Sequence, residues 1–474
     1  MRPRPDPDMQ ALADTLRAAA ATLLGAAPAD GPPRDLLLRL GYHDDAPGDA
    51  PGDAPGNTPG DAPWDTPGDA PGGAPRQASH RAALLRAAAG FRRIFTLAAE
   101  DAPGLVALGA EVDPACLGLA GAPLGSVSGT GLTFRQAFER CVGEGVEYLS
   151  QFATPGDPIE QLTDDEALAD GSPAVRALWR ALLPFRRDPE AARTGWTVAA
   201  NLADGSPLRL PADICFRRPP EVRNIDPPWP LSNGCGAGPD HLSATLHGLL
   251  ELIERDAVVL WWRGGRRGRM VPPGTGAAVL AQLRRGSQGR HTWLLDITSD
   301  VGVPVVVAAS CSGDGFGLCC GHAAGTTLDR AADAAVREMA QMELASRLSA
   351  MKRSVRGEAA LNDVDRQHLR RFTAVDVAAT PALQPLAPPS PPRNLPPRDL
   401  PAHDKLATLA EVRRRLSAVG MVPAALNLTR AAFGIPVTRV VCPGLEQYMT
   451  APPGSRLWAS AELAGVDPTG VAPL

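Results

Sequence analysis

Three helix-forming stretches, each carrying a polar pair three residues apart, constrain this chain more than any other feature of its 474 residues. The pairs are Glu144 and Glu147, Glu251 and Glu254, and Glu338 and Gln341. A spacing of i and i+3 sets both side chains of a pair on one helix face. A fold that brings the three faces together makes a site rich in hard oxygen ligands, the surroundings that Mg²⁺ bridging nucleotide phosphates requires. A fold that leaves them apart makes solvated faces, the middle one with an i,i+4 ion pair between Glu251 and Arg255. The convergent arrangement predicts nucleotide chemistry without a P-loop, because the chain has no Gly-x-x-x-x-Gly-Lys stretch.

Over residues 242–262, Leu242, Leu246, Leu249, Ile253, Ala257 and Leu260 form one apolar stripe, with Glu251, Glu254 and Arg255 opposite. Val258 and Trp262 project beside the acidic patch, so other protein is expected to cover that face. Covered carboxylates require a cation or hydrogen-bond donors. Further helices are predicted over 134–152, with Thr133 as N-cap, and over 330–351. Strands are predicted at 292–298, 303–310, 315–320 and 437–442, and the mixture reads as α+β layers.

The flanks are of a different kind. Residues 9–25 predict an amphipathic helix, and 47–75 is a degenerate Pro-Gly-Asp-Ala repeat that cannot form a core or a ladder. The expected organisation is a helical segment 1–45, a disordered linker 46–78 and one domain 79–474, with a second proline-rich stretch, 381–401, as a surface loop. A net charge of −5 disfavours binding to bulk nucleic acid. The start is too rich in proline and acid for a signal peptide, and apolar runs such as 301–309 are too short to span a bilayer. Eight cysteines without zinc spacing read as reduced, buried residues of a cytoplasmic protein. His247 and the Trp261-Trp262 pair read as packing residues, and Cys235 becomes a nucleophile only if a histidine approaches it.

Ser232-Asn-Gly-Cys-Gly-Ala-Gly238 followed by Leu246-His-Gly-Leu-Leu-Glu-Leu-Ile-Glu-Arg-Asp-Ala257 resembles the signature of the YcaO family. Gly129-Thr-Gly-Leu-Thr133, Glu338-Met-Ala-Gln-Met-Glu-Leu344, Leu426-Asn-Leu-Thr-Arg430 and the run from Gly434 to Glu446 match in the same order, over 125–446. The resemblance implies antiparallel sheets packed with helices around a central nucleotide cleft, with ATP and Mg²⁺ as cofactors. It implies Glu144, Glu147, Glu251, Glu254 and Glu338 as metal or nucleotide ligands, Arg255 on phosphate and Gln341 in the site wall.

It further implies O-phosphorylation of a backbone amide in a ribosomally made precursor peptide, giving an azoline or a thioamide. The implied partners are that peptide and either a leader-binding or a TfuA-like protein, with no nucleic acid and no membrane. The oligomeric state is left open, a homodimer included. Four positions depart from the family pattern: Tyr148, Pro239, Ser243 and Ala334 stand where the family usually has arginine, asparagine, glutamate and arginine. The Pro-x-Pro-x-Pro end of many azoline-forming members is also missing, which leans towards thioamidation, whereas Gln341-Met-Glu-Leu344 resembles the azoline-forming members. The departures motivate an alternative, a degenerate scaffold that binds peptide or a partner subunit without turning over ATP.

Overall fold

The computed structural model describes residues 73–169, 172–386, 399–447 and 454–469. The expected helix at 9–25 and most of the repeat lie outside these residues, as does much of 381–401. A helix, α1, runs over Gly73–Ala89, so it starts inside the stretch assigned to the linker.

Every paired strand among the described residues runs antiparallel, and the strands make three sheets. The first holds β1 (Arg93–Leu97), β2 (Val106–Val112) and β3 (Gly125–Gly131) in that order. The second runs β4 (Glu160–Leu162), β5 (Thr194–Asn201), β12 (Ala424–Asn427), β13 (Val437–Val441) and β7 (Cys235–Ala237), with β6 (Pro207–Pro211) beside β5. The third runs β11 (Cys319–Ala324), β10 (Val305–Cys311), β9 (His291–Asp296) and β8 (Arg269–Met270).

β10 shows why its sequence is an unbroken apolar run. Val305, Val307 and Ala309 face the core that also holds Leu249, Ile253 and Trp261, whereas Val306 and Ala308 face the core of Val336 and Met339. A strand covered on both faces loses the polar alternation of a half-exposed one. The predicted strand at 315–320 is displaced: β11 begins at Cys319, because Gly315 and Gly317 take positive φ values in the turn that precedes it.

Three helices position the candidate site, and each follows a strand after a short connection. They are α2 (Phe134–Ser150) after β3, α3 (His241–Trp262) after β7, and α4 (Leu328–Arg356) after β11. Their N-caps are Thr133, Asp240 and Thr327, each accepting a backbone N–H three residues on. Each helix presses on the strand before it and also on a strand of another unit, α2 on β7, α3 on β11 and α4 on β3. Glycine makes the approach possible at Gly129, where a Cβ would lie 2.2 Å from the Cys141 nitrogen, and at Gly321, where it would lie 2.0 Å from the Met339 nitrogen. No described helix is long and apolar enough to cross a membrane.

Candidate functional site

The three units share one register. Glu144 and Glu147 stand ten and thirteen residues after Phe134, Glu251 and Glu254 ten and thirteen after His241, and Glu338 and Gln341 ten and thirteen after Leu328. The first member of each pair reaches back to the strand of its own unit or, for Glu251, to the residue just before it. Glu144 accepts the Ser128 N–H at 2.9 Å, Glu251 the Gly234 N–H at 3.0 Å and Glu338 the His322 N–H at 2.9 Å.

The second member reaches the next unit, always at the residue four before that unit's helix. Glu147 accepts the Ala237 N–H at 2.6 Å and Glu254 the Ala324 N–H at 3.2 Å, while Gln341 accepts the Thr130 hydroxyl at 2.9 Å. These three links close a ring. All seven sequence-predicted site residues therefore lie on one pseudo-threefold arrangement, with Arg255 inside it at 3.3 Å from Glu251, 3.9 Å from Glu254 and 3.5 Å from the His322 Nε2.

Beside the ring lies a cavity of about 430 Å³, lined by His80, Arg140, Glu144, Glu147, His247 and Gln341 among others. Glu144 is reachable through this opening even though protein surrounds it on its other sides. Pro239, one of the four departures, lines the same wall.

Burial pushes Glu144 up to about 7, with a contribution from the Glu251 charge and against the Ser128 N–H. Burial pushes Glu147 up to about 8, helped by Glu251 and Glu144 and opposed by the Ala237 N–H. Glu251 and Glu338 are likewise raised, burial leading and Glu254 adding to both. For Glu254 burial is outweighed by His322, Arg255 and the Ala324 N–H, which together hold it below the usual carboxylate range. The same carboxylates overcome burial to raise His322 and Arg255. Four of the five acids are raised and the fifth is held down by its cationic neighbours, so the ring asks for positive charge, and its donors are hard oxygens. The residues fit Mg²⁺, because one oxygen of each carboxylate is anchored by a backbone N–H while the second faces the site, where those of Glu251 and Glu254 meet the Arg255 and His322 cation partners that a metal would replace.

The sign of the pH dependence follows. Between the unfolded carboxylate value near 4.5 and the folded values of about 7 and 8, the folded protein binds more protons at Glu144 and Glu147 than the unfolded chain does. The stability these two groups contribute therefore falls as pH rises through that window, and a dication that pairs with them removes the loss. Millimolar Mg²⁺ is expected to raise the melting temperature more at about pH 8.5 than at about pH 6. Equal shifts at both values would count against a cation at these acids.

The structure corrects the environment of the departures. The Tyr148 hydroxyl donates to the Pro123 carbonyl at 2.8 Å, and the Arg217 guanidinium lies 5.1 Å from its ring centre. Lys405, at the start of helix α5 (Lys405–Ala418), donates to Ser243 at 2.6 Å and to Asp240 at 3.0 Å. Arg140 donates to the Thr130 carbonyl at 2.6 Å at the cavity wall. Ala334 packs against the apolar cluster under α4. Cations thus stand near the site at positions other than those of the family pattern.

Sequence reasoning missed His322, Arg140, Lys405, Ser128 and Thr130. The signal for Ser128, Thr130 and His322 was the common register, visible once the helix starts are known, whereas Arg140 and Lys405 stand outside it. His247 is a wall residue: its Nδ1 lies 2.9 Å from the Ala237 carbonyl, and burial lowers its pKa. Burial pushes the Cys235 thiol up to about 12, which removes it as a nucleophile near neutral pH. Seven of the eight cysteines are buried as expected, and Cys116 is exposed.

A sequence profile described as YcaO cyclodehydratase, ATP- and Mg²⁺-binding, matches residues 128–446. An uncharacterized protein of Methanothermobacter thermautotrophicus is 29% identical over 39% of this chain and 47% of its own length. An uncharacterized protein in the tfuA 3′ region of Rhizobium leguminosarum bv. trifolii is 30% identical over 25% of this chain and 30% of its own. The chain thus spans less than half the length of these curated relatives.

Among solved structures, a heterocyclase in complex with substrate and cofactor aligns with a TM-score of 0.64 at 20% identity, over 85% of this chain and 57% of that one. YcaO from Methanopyrus kandleri, bound with AMPPCP and Mg²⁺, aligns with a TM-score of 0.54 at 20% identity, over 80% and 94%. The E. coli microcin synthetase McbBCD complex with pro-MccB17 bound aligns with a TM-score of 0.56 at 14% identity, over 78% and 95%. At these identities the structures are alike in fold.

Proposed function

The chain belongs to the YcaO family, and from that premise we propose that it uses ATP to activate a backbone amide of a ribosomally made precursor peptide by O-phosphorylation. ATP and Mg²⁺ are the ligands of the family domain that it carries. The observation that supports the reading best is the closed ring, which gathers five carboxylates and Arg255 beside a cavity.

In this reading Glu144, Glu147, Glu251, Glu254 and Glu338 hold the cations, Gln341 forms the wall and Arg255 turns from Glu251 to a phosphate. Bound Mg²⁺ would neutralise charge on the phosphate oxygens. The ring keeps the acids fixed before the nucleotide arrives, so little reorganisation is needed when charge develops. An amide oxygen is a poor leaving group, and as phosphate it departs readily. Attack by a neighbouring Cys, Ser or Thr side chain then gives an azoline, and attack by delivered sulfide gives a thioamide.

A leader-binding partner suits the first outcome and a TfuA-like partner the second. The relative named for the tfuA 3′ region favours the second, and the resemblance in fold to heterocyclases favours the first. Residues 79–474 would form the catalytic domain, with α1 reaching back to Gly73. Tyr148, Pro239, Ser243 and Ala334 support the rival scaffold reading, against which Arg140 and Lys405 supply cations nearby.

Calorimetry with Mg²⁺ and ATP decides between them. Saturable binding is expected. No heat at millimolar ATP from a folded protein would leave only the scaffold.

A further inference from the structure

The ring has three junctions between units, and they are not chemically alike. Between the first and second units stand Glu147 and Glu251, and between the second and third stand Glu254 and Glu338. Between the third and first stand Gln341 and Glu144, with a single carboxylate. The strand residue six before each helix start is Ser128, Cys235 or His322 in the three units, so one junction alone receives an imidazole from that strand position.

At that junction the His322 Nδ1 lies 2.8 Å from the Glu254 Oε1 and 3.7 Å from the Glu338 Oε2. Among the described residues this trio is the one group of three such side chains whose ligand atoms fall within 4.8 Å of one another. At the first junction Cys235 lies against a backbone carbonyl, that of Glu147, at 4.0 Å.

We propose that His322 is a direct metal ligand, so that the junction of Glu254, His322 and Glu338 takes a first-row transition dication in preference to Mg²⁺. The inference rests on the nucleotide reading above and adds a nitrogen donor to it. Two carboxylate oxygens and one imidazole nitrogen suit a borderline cation better than a hard one, because affinity for nitrogen rises from Mn²⁺ towards Zn²⁺ while Mg²⁺ keeps to oxygen. The first junction offers carboxylate oxygens, the His247 Nδ1 there being turned to the Ala237 carbonyl at 2.9 Å, and stays a Mg²⁺ position.

Arg255 stands beside the His322 Nε2 at 3.5 Å, and the Nδ1 faces the Glu254 carboxylate at 2.8 Å. A metal at Nδ1 takes the neutral imidazole with its single proton on Nε2, which then meets the Arg255 guanidinium donor against donor, so Arg255 must withdraw. A phosphate beside the ring gives the guanidinium a better partner. Metal loading and nucleotide docking at this junction therefore favour each other.

The test adds Mn²⁺ with AMPPCP to the full-length protein and reads pulsed electron paramagnetic resonance. Nitrogen modulation from one bound imidazole is expected, absent in His322→Gln, together with a loss of about tenfold in the preference for Mn²⁺ over Mg²⁺. Should the variant fail to fold, wild-type protein labelled with heavy-nitrogen histidine must show the corresponding isotope change. Bound Mn²⁺ without nitrogen modulation, or modulation that survives in His322→Gln, overturns the ligand assignment and leaves the nucleotide reading standing. No Mn²⁺ bound in the presence of AMPPCP overturns both.

Discussion

Glu254→Ala is expected to abolish Mg²⁺-dependent ATP binding, weakening it by more than about 100-fold in calorimetry. Glu254 is the most heavily engaged acid of the ring. It meets the His322 Nδ1 at 2.8 Å, accepts the Ala324 N–H at 3.2 Å and lies 3.9 Å from Arg255. In the proposed site its loss removes a cation ligand, and it opens the link between the second and third units and frees His322 to pair with Glu338. A neutralised Glu338 is a poor ligand in turn, so the effect exceeds that of one missing oxygen. A thermal melt separates loss of the site from loss of the fold. Unchanged affinity in a folded Glu254→Ala variant would remove the site assignment altogether.

Gly321→Val is expected to lower folding stability by at least about 3 kcal/mol, read as a shift of the urea midpoint. An added Cβ would lie 2.0 Å from the Met339 nitrogen and 2.4 Å from the Ala335 carbonyl oxygen, both backbone atoms of α4 that no rotamer change can move. The helix would have to lift from β11, and Glu338 would lose the His322 N–H with it. Gly313→Ala is the control, since nothing stands within 4 Å of that position, and a change below about 0.5 kcal/mol is expected. A wild-type midpoint for Gly321→Val would show that α4 does not sit this closely on the strand.

Much of this was legible in the residues. The i,i+3 pairs, the apolar stripe of α3 and the Thr133 cap follow from helix geometry alone, and the structure brings the three faces together around Arg255. The ring itself was not legible, and the reason is small. Helices predicted to start at 134, 242 and 330 set the pairs at unequal distances from their starts, whereas the observed starts at Phe134, His241 and Leu328 make them equal. Helix boundaries are the weakest product of periodicity, and here an error of one or two residues concealed the repeat.

His322 was hidden for another reason. Its strand was predicted over 315–320, so the residue fell beyond it, and no local pattern marks a histidine whose partners are 68 and 16 residues away in sequence. Lys405 reaches Ser243 across 162 residues, a contact that only the fold can reveal.

The link that completes the ring, Thr130 to Gln341, joins positions 211 residues apart. A chain leaving the ribosome thus exposes two of its three acid-bearing helices well before the last emerges, with their like charges facing each other and no third wall to hold them. Domains form as they are synthesised, but on the nucleotide reading proposed above this one cannot capture its ligand part-made. On that reading the nascent protein stays blind to ATP until α4 has been translated.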